Sequence, residues 1–224
     1  MKPCFPTVIG FWILAGSVAG CASHPLPPKW QGAAQSALKS FTAAYLTGQS
    51  RLAEQDFARA RSQIASTGRA DLVAKAELVR CATRVASLVF DECAGYALIA
   101  QDANAAEQSY AAYLNGRWQD IDVALLPAQH RTVASATAGT DVAASLRLME
   151  DPLARLVAAG ALLRAGRMVP AGIIIASDTA SAQGWRRPLL AWLGVQLRSA
   201  QQAGESAAVL VLQRRIALVT SAPD

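Results

Sequence analysis

The 224-residue sequence is poor in the residue types that perform most enzyme chemistry. It has two histidines and four cysteines, and aromatic residues make up 6% of the chain. It has no Gly-x-Ser-x-Gly nucleophile motif, no Walker-type phosphate loop and no dinucleotide-binding glycine motif. The cysteines form no Cys-x-x-Cys pair, which excludes the common zinc and thiol-redox motifs. From these absences we expect no catalytic residue, no metal and no cofactor.

An excess of charge of one sign is also missing. Lysine and arginine number 21 against 16 acidic residues, a net charge of +5, and the basic residues are dispersed along the chain. Without a dense basic tract that contains aromatic residues, nucleic acid is not an expected partner. The apolar runs are also shorter than the roughly 20 residues of a transmembrane helix.

The first twenty residues have the layout of a secretory signal peptide. A positive charge at Lys2 precedes an apolar stretch, and small residues follow. The run Val18-Ala19-Gly20-Cys21 resembles the lipobox of bacterial lipoproteins. The resemblance implies a diacylglycerol on the Cys21 thiol, removal of residues 1–20 and acylation, as by palmitate, of the freed amine. In the alternative, an ordinary signal peptide is cleaved nearby and Cys21 stays an exposed thiol.

The residues after the cysteine predict where the protein resides. Ala22 and Ser23 follow Cys21, and no aspartate stands directly after it. This pattern resembles lipoproteins that Gram-negative bacteria sort to the outer membrane, so we expect a membrane-anchored protein that faces the periplasm. Several acyl chains at about 0.8 kcal/mol per buried methylene would hold it there. Closely spaced prolines within residues 21–30 predict an extended tether.

The rest of the chain has the hydrophobic period of amphipathic helices, which predicts an all-α fold. Residues 31–116 form an N-terminal helical half and residues 141–224 a C-terminal one. Between them, residues 117–140 lose the apolar stripe and predict a joint with one short helix after Pro127. Because the helices are joined by short glycine-containing segments, we expect antiparallel helical hairpins.

Local signals predict several helix boundaries. Ser50 is a candidate N-cap for the second helix, and Asp151-Pro152 is the favoured order at a helix start. The run Ile173-Ile174-Ile175 has strand propensity. A single strand would have no pairing partner, so we expect a helix there.

A short sequence pattern occurs twice. Residues 53–58 and 106–111 both read Ala-Glu-Gln, any residue, an aromatic residue and Ala. The pattern resembles the second helix of a tetratricopeptide hairpin, in which a small residue admits the neighbouring helix. The copies lie 53 residues apart, whereas the tetratricopeptide period is about 34 residues. A tetratricopeptide-like array and an irregular bundle of helical hairpins both remain open.

Two cysteines remain in the mature domain, Cys81 and Cys93. Export places them in an oxidising compartment, so a disulfide is the favoured interpretation. The bond requires Cα atoms within about 7 Å of each other.

The sequence Gly-Trp-Arg-Arg-Pro includes the candidate interaction surface, Trp185, Arg186 and Arg187. A tryptophan beside two guanidinium groups could bind an anionic headgroup, a glycan or a partner's carboxylates. In the alternative, Trp185 packs into a helix joint while both arginines are solvated.

These patterns favour a non-enzymatic scaffold or adaptor that binds a protein partner in the cell envelope. An alternative is a cell-wall-binding or glycan-binding accessory, or an envelope enzyme, that uses Asp120, Asp122 or His130. A third is a structural lipoprotein with no dedicated ligand. The scaffold hypothesis rests on an analogy of fold, because helical-hairpin arrays commonly present a concave face to a partner.

Overall fold

The computed structural model describes residues 28–137 and 141–221, and within them the regular structure is entirely helical. The all-α prediction is therefore confirmed, and the isoleucine run at 173–175 lies in a helix. The α-helices are α1 (Lys29–Thr47), α2 (Ser50–Ala65), α3 (Ala70–Ala86), α4 (Ala94–Ala97), α5 (Ala105–Leu114), α6 (Ala128–Ala134), α7 (Val142–Leu148), α8 (Pro152–Arg164), α9 (Pro170–Ala182), α10 (Arg186–Gln202) and α11 (Ser206–Ser221).

The first two helices form the predicted hairpin, with two boundary corrections. Helix α1 begins at Lys29, inside the range assigned to the tether, because Pro28 stands at the N-cap position and has no N–H to satisfy. Gly48 follows the last residue of α1 with φ 103, and only Gly48 and Gln49 lie between the helices. Ser50 is therefore the first helical residue of α2 and not its N-cap.

The middle of the chain is built of short elements. Three 3-10 turns, Ala100–Asp102, Trp118–Asp120 and Val123–Leu125, accompany α4, α5 and α6. The short helix predicted after Pro127 is confirmed as α6. Helix α5 begins with a capping box, in which the side chains of Asn104 and Glu107 each accept a hydrogen bond from the other residue's backbone N–H.

Helix α8 lies at the centre of the core. Its residues from Leu156 through Leu162 are all buried, and it packs against α3, α5, α6, α7 and α9. A Cβ atom at Gly160 would overlap the carbonyl oxygen of Val85 on α3. The glycine therefore permits the close crossing of α8 and α3.

Residues from both predicted halves share this core. Trp192 of α10 is fully buried, and its Nε1 donates a 3.1 Å hydrogen bond to the carbonyl oxygen of Ala86 at the end of α3. Helix α1 also packs against α10. Helix α11 packs chiefly on α10, and Leu212 is its one buried residue within the described chain.

The repeated sequence pattern falls on α2 and α5, which have 16 and 10 residues. Ala53 and Phe57 are buried between the first helices, whereas Ala106 and Tyr110 are half-buried beside a cavity. The tetratricopeptide resemblance stays a prediction.

Candidate functional site

Three cavities in the surface adjoin one another through shared lining residues. The first, about 940 Å³, lies between α1 and the start of α8. The second, about 480 Å³, lies between α3, α5 and residues 125–131, and the third, about 460 Å³, between α6 and α7. Val79 lines the first and second cavities, and Asp151 lines the first and third. We call this set of cavities the groove.

The first cavity has an apolar floor and a polar wall. Leu46, Val79 and Leu153 line the floor from three different helices. The wall belongs to α1, where the helical period places the exposed side chains of Gln35 and Lys39 along the cavity. Such a surface suits an amphipathic polypeptide segment, which can place apolar side chains on the floor and polar ones along the wall.

The second cavity is mainly apolar and has two cations at its edge, Lys75 and Arg131. The Nζ atom of Lys75 lies 3.7 Å from a carboxylate oxygen of the buried Glu107. The same carboxylate already accepts hydrogen bonds from the backbone N–H and the side-chain amide of Asn104. The negative charge of the Glu107 carboxylate is therefore shared between Lys75 and the two donors of Asn104.

The guanidinium group of Arg131 is held in place by one hydrogen bond. Its Nε donates to the carbonyl oxygen of Leu126 at 2.8 Å. Its two terminal nitrogens have no hydrogen-bond or ion-pair partner among residues 28–137 and 141–221. This arginine can therefore bind an anionic group that enters the second cavity.

His130, the candidate catalytic histidine, lies in a buried aromatic cluster beside the groove. It is 1% exposed, and its Nδ1 lies 3.4 Å from the hydroxyl oxygen of Tyr113. Its ring centroid is 5.6 Å from that of Tyr110, which lines the second cavity. Burial lowers the pKa of His130 to about 4, although the nearby Asp151 raises it in part. The imidazole is therefore uncharged near neutral pH.

The two candidate aspartates make local structural contacts. A carboxylate oxygen of Asp120 lies 3.2 Å from Nε of Arg117, and Asp122 accepts a hydrogen bond from the backbone N–H of Ala124. The structure does not bring them together with His130 as hydrogen-bond partners. The described part of the chain has no group of three or more histidine, cysteine or acidic residues that could hold a metal ion.

The predicted interaction surface around residue 185 is used within the fold. Nε of Arg187 donates to the carbonyl oxygen of Tyr45 at 2.7 Å, and Arg186 donates to the carbonyl oxygen of Thr220 at 3.1 Å. Trp185 is half-buried, packs against the core and lines the first cavity. Of the three residues, therefore, Trp185 contributes to the groove, Arg187 joins α10 to the distant α1, and Arg186 joins α10 to the next helix, α11.

The cysteine pair has the predicted geometry. The sulfur atoms of Cys81 and Cys93 lie at disulfide distance, and their Cα atoms are 5.1 Å apart. Cys93 has a left-handed backbone with φ 54, in the turn that precedes α4. The pair thus joins α3 to that turn.

Compared with known proteins, the chain matches no known family, no curated protein and no solved structure. The predicted lipidation site, Cys21, lies outside the described residues, as does the tether up to residue 27. No helix in the described ranges is both long enough and apolar enough to cross a membrane.

Sequence reasoning did not find the groove. Lys75, Arg131 and Asp151 come from three distant parts of the chain, and only packing brings them to adjoining cavities. One local signal was available: Asn104 followed by Glu107 has the spacing of a capping box, which marks the start of α5 at the edge of the second cavity.

Proposed function

We propose that the protein is a lipid-anchored envelope protein that binds a segment of a partner protein in the groove. It acts as a non-enzymatic scaffold or adaptor on the periplasmic side of the outer membrane. The observation that carries the proposal is the apolar floor of the first cavity, where Val79 is 37% exposed beside the second cavity. A surface of this kind can bury the apolar side chains of a second polypeptide.

The proposed anchor is supported by the sequence from Val18 to Cys21 and by the signal-like residues before it. Metabolic labelling with palmitate tests it. We expect the wild-type protein to incorporate label and to fractionate with outer membranes, and we expect Cys21→Ala to abolish both. Labelling of the variant at the wild-type level would contradict the proposal.

Partner binding in the groove is tested by site-specific photo-crosslinking in intact cells. A photoreactive residue replaces Gln35 or Lys39, which line the first cavity, or Asp178, which is exposed on α9 away from the groove. We expect a discrete adduct of one mass at the two groove positions and none at position 178. Equal adducts at all three positions would indicate nonspecific contact and contradict the proposal.

A second test compares a variant that places a charge in the groove floor with a variant that places the same charge elsewhere on the surface. Val79→Glu places a carboxylate between the first and second cavities, whereas Leu218→Glu changes an exposed leucine on α11. We expect the groove adduct to fall at least tenfold with Val79→Glu and to persist with Leu218→Glu. Circular dichroism would check that both variants fold. An adduct that is unchanged by Val79→Glu in a folded protein would overturn the proposed binding site.

A further inference from the structure

The second cavity combines an apolar wall with two cations, Lys75 and Arg131, whose positive charge is incompletely neutralised. Its wall is formed by Leu78, Val79, Leu125, Leu126 and Pro127. At about 480 Å³ it falls within the size range of sites that bind small ligands. An apolar group that enters it would be removed from water against this wall.

The charge of this cavity favours an anion. Lys75 and Arg131 line the cavity together with one carboxylate, that of Glu107, and this carboxylate is already hydrogen-bonded to Asn104. Lys75 lies 3.7 Å from it, beyond the usual length of a direct hydrogen bond. The terminal nitrogens of Arg131 have no partner in the described ranges. Both cations can therefore donate to a further carboxylate.

Arg131 is also held in place before a ligand arrives. Because its Nε bonds to the carbonyl oxygen of Leu126, the guanidinium group is oriented beside the apolar wall. An oriented planar guanidinium matches the two oxygens of a carboxylate and loses little conformational entropy on binding.

We propose that the second cavity binds the carboxyl terminus of a partner polypeptide whose last residue is aliphatic. In a terminal residue the carboxylate and the side chain leave the same Cα atom, so one residue supplies both the anion for Arg131 and Lys75 and the apolar group for the wall. Val79 lines both the first and the second cavity, so the preceding residues of the peptide can extend towards the first cavity. This inference rests on the proposed function and names the kind of segment that the groove binds.

Fluorescence anisotropy with the full-length protein in detergent tests the inference. The probe is a fluorescein-labelled peptide, Gly-Ser-Gly-Ser-Ala-Ala-Val-Leu-Val, with either a free carboxyl terminus or an amidated one. We expect the free acid to bind at least tenfold more tightly than the amide, because hydrogen bonds to charged groups are the stronger kind. Equal affinity of the acid and the amide would overturn the inference, and this comparison requires no protein variant.

Three variants locate the binding site. We expect Arg131→Gln to weaken binding of the acid at least tenfold and Lys75→Gln to weaken it severalfold. The matched control is Arg198→Gln, which removes an exposed arginine of α10 that lines none of the three groove cavities, and we expect unchanged affinity. Full affinity in a folded Arg131→Gln protein would overturn the inference.

Decanoate distinguishes a peptide terminus from a free fatty acid, because it has the same carboxylate and an apolar chain. Saturable binding of decanoate together with no binding of the peptide acid would overturn the polypeptide assignment.

The crosslinking experiment separates this inference from the proposed function. If the adduct at Gln35 forms while the peptide acid and amide bind equally, the proposed function stands and the carboxyl-terminal inference fails. If no groove adduct forms, the proposed function itself fails.

Discussion

The side chain of Arg187 contacts Tyr45 in two ways, although the residues lie 142 positions apart. Its Nε donates a 2.7 Å hydrogen bond to the carbonyl oxygen of Tyr45, and its guanidinium carbon lies 4.3 Å from the centroid of the tyrosine ring. A terminal nitrogen also donates to the hydroxyl of Ser50 at 2.7 Å. One arginine at the start of α10 therefore holds the turn between α1 and α2.

Removal of this arginine is expected to loosen the first hairpin. Arg187→Ala should lower the free energy of unfolding by about 1–3 kcal/mol, because hydrogen bonds to a charged donor are lost. Arg187→Lys should be almost as destabilised as Arg187→Ala, since an ammonium group cannot reproduce the planar arrangement of N–H donors in a guanidinium group. Urea denaturation measures the change, and Arg198→Ala is the control. Equal stability of Arg187→Lys and wild type would contradict this role for the guanidinium group.

Two helical glycines should respond in opposite ways to alanine. At Gly160 the added methyl group would overlap the carbonyl oxygen of Val85, so Gly160→Ala should lower stability by about 1–3 kcal/mol. At Gly194 a Cβ atom meets no other heavy atom within 4 Å, so Gly194→Ala should raise stability by up to about 1 kcal/mol. Thermal melting of both variants would measure the contrast. A Gly160→Ala protein as stable as the wild type would argue against the close crossing of α3 and α8.

Formation of the Cys81–Cys93 bond can be measured directly. The intact protein should have a mass lower by two hydrogen atoms than the reduced protein. Cys81→Ser with Cys93→Ser should lower the free energy of unfolding by about 3 kcal/mol, the loop-entropy estimate for a closure of this length. Reduction of the disulfide in the wild-type protein should lower the free energy of unfolding by a similar amount. Two free thiols in protein purified without a reductant would contradict the prediction.

Burial of His130 should make stability depend on pH. Its pKa is about 4 in the folded protein against 6.5 when unperturbed, so the unfolded state binds the proton more readily. Stability should therefore fall as pH falls from 6.5 towards 4, by up to about 3 kcal/mol, and change little through this group below that range. Asp151, Tyr110 and Tyr113 are the titratable groups that act on the ring or contact it.

His130→Gln tests this dependence, because the amide does not titrate. Urea denaturation at several pH values between 4 and 7 should give a flatter profile for the variant than for the wild type. Profiles of the same slope would show that other groups cause the dependence.

Most of the fold was predictable because helical periodicity and helix boundaries are local properties of the sequence. Asp151 shows this well: its side chain accepts a 2.9 Å hydrogen bond from the backbone N–H of Ala154, as expected for an N-cap. Ser50 shows the limit. Its residue type favours the N-cap, but the tight turn at Gly48 leaves only two residues between the helices, and Ser50 is already helical.

The candidate site was not predictable to the same extent, because its chemistry depends on contacts between distant residues. Nothing close to Arg131 in the sequence shows that its Nε would bond a carbonyl oxygen, or that its terminal nitrogens would have no partner in the described part of the chain. Arg187 shows the opposite case: beside Trp185 it has the pattern of a binding surface, but it bonds to the first hairpin. The local sequence indicates whether a position is suited to the core or to the surface, but the packing of the helices determines which groups a side chain contacts.

The central position of α8 constrains the order in which the protein can be completed during synthesis. The inner surface of α3, including Leu78 and Val85, belongs to the core that α8 covers. A nascent chain that leaves the ribosome amino terminus first presents this surface long before residues 152–164 emerge. The part of the α3 surface that α8 covers therefore stays exposed until then, and the core is completed only after most of the polypeptide has been made.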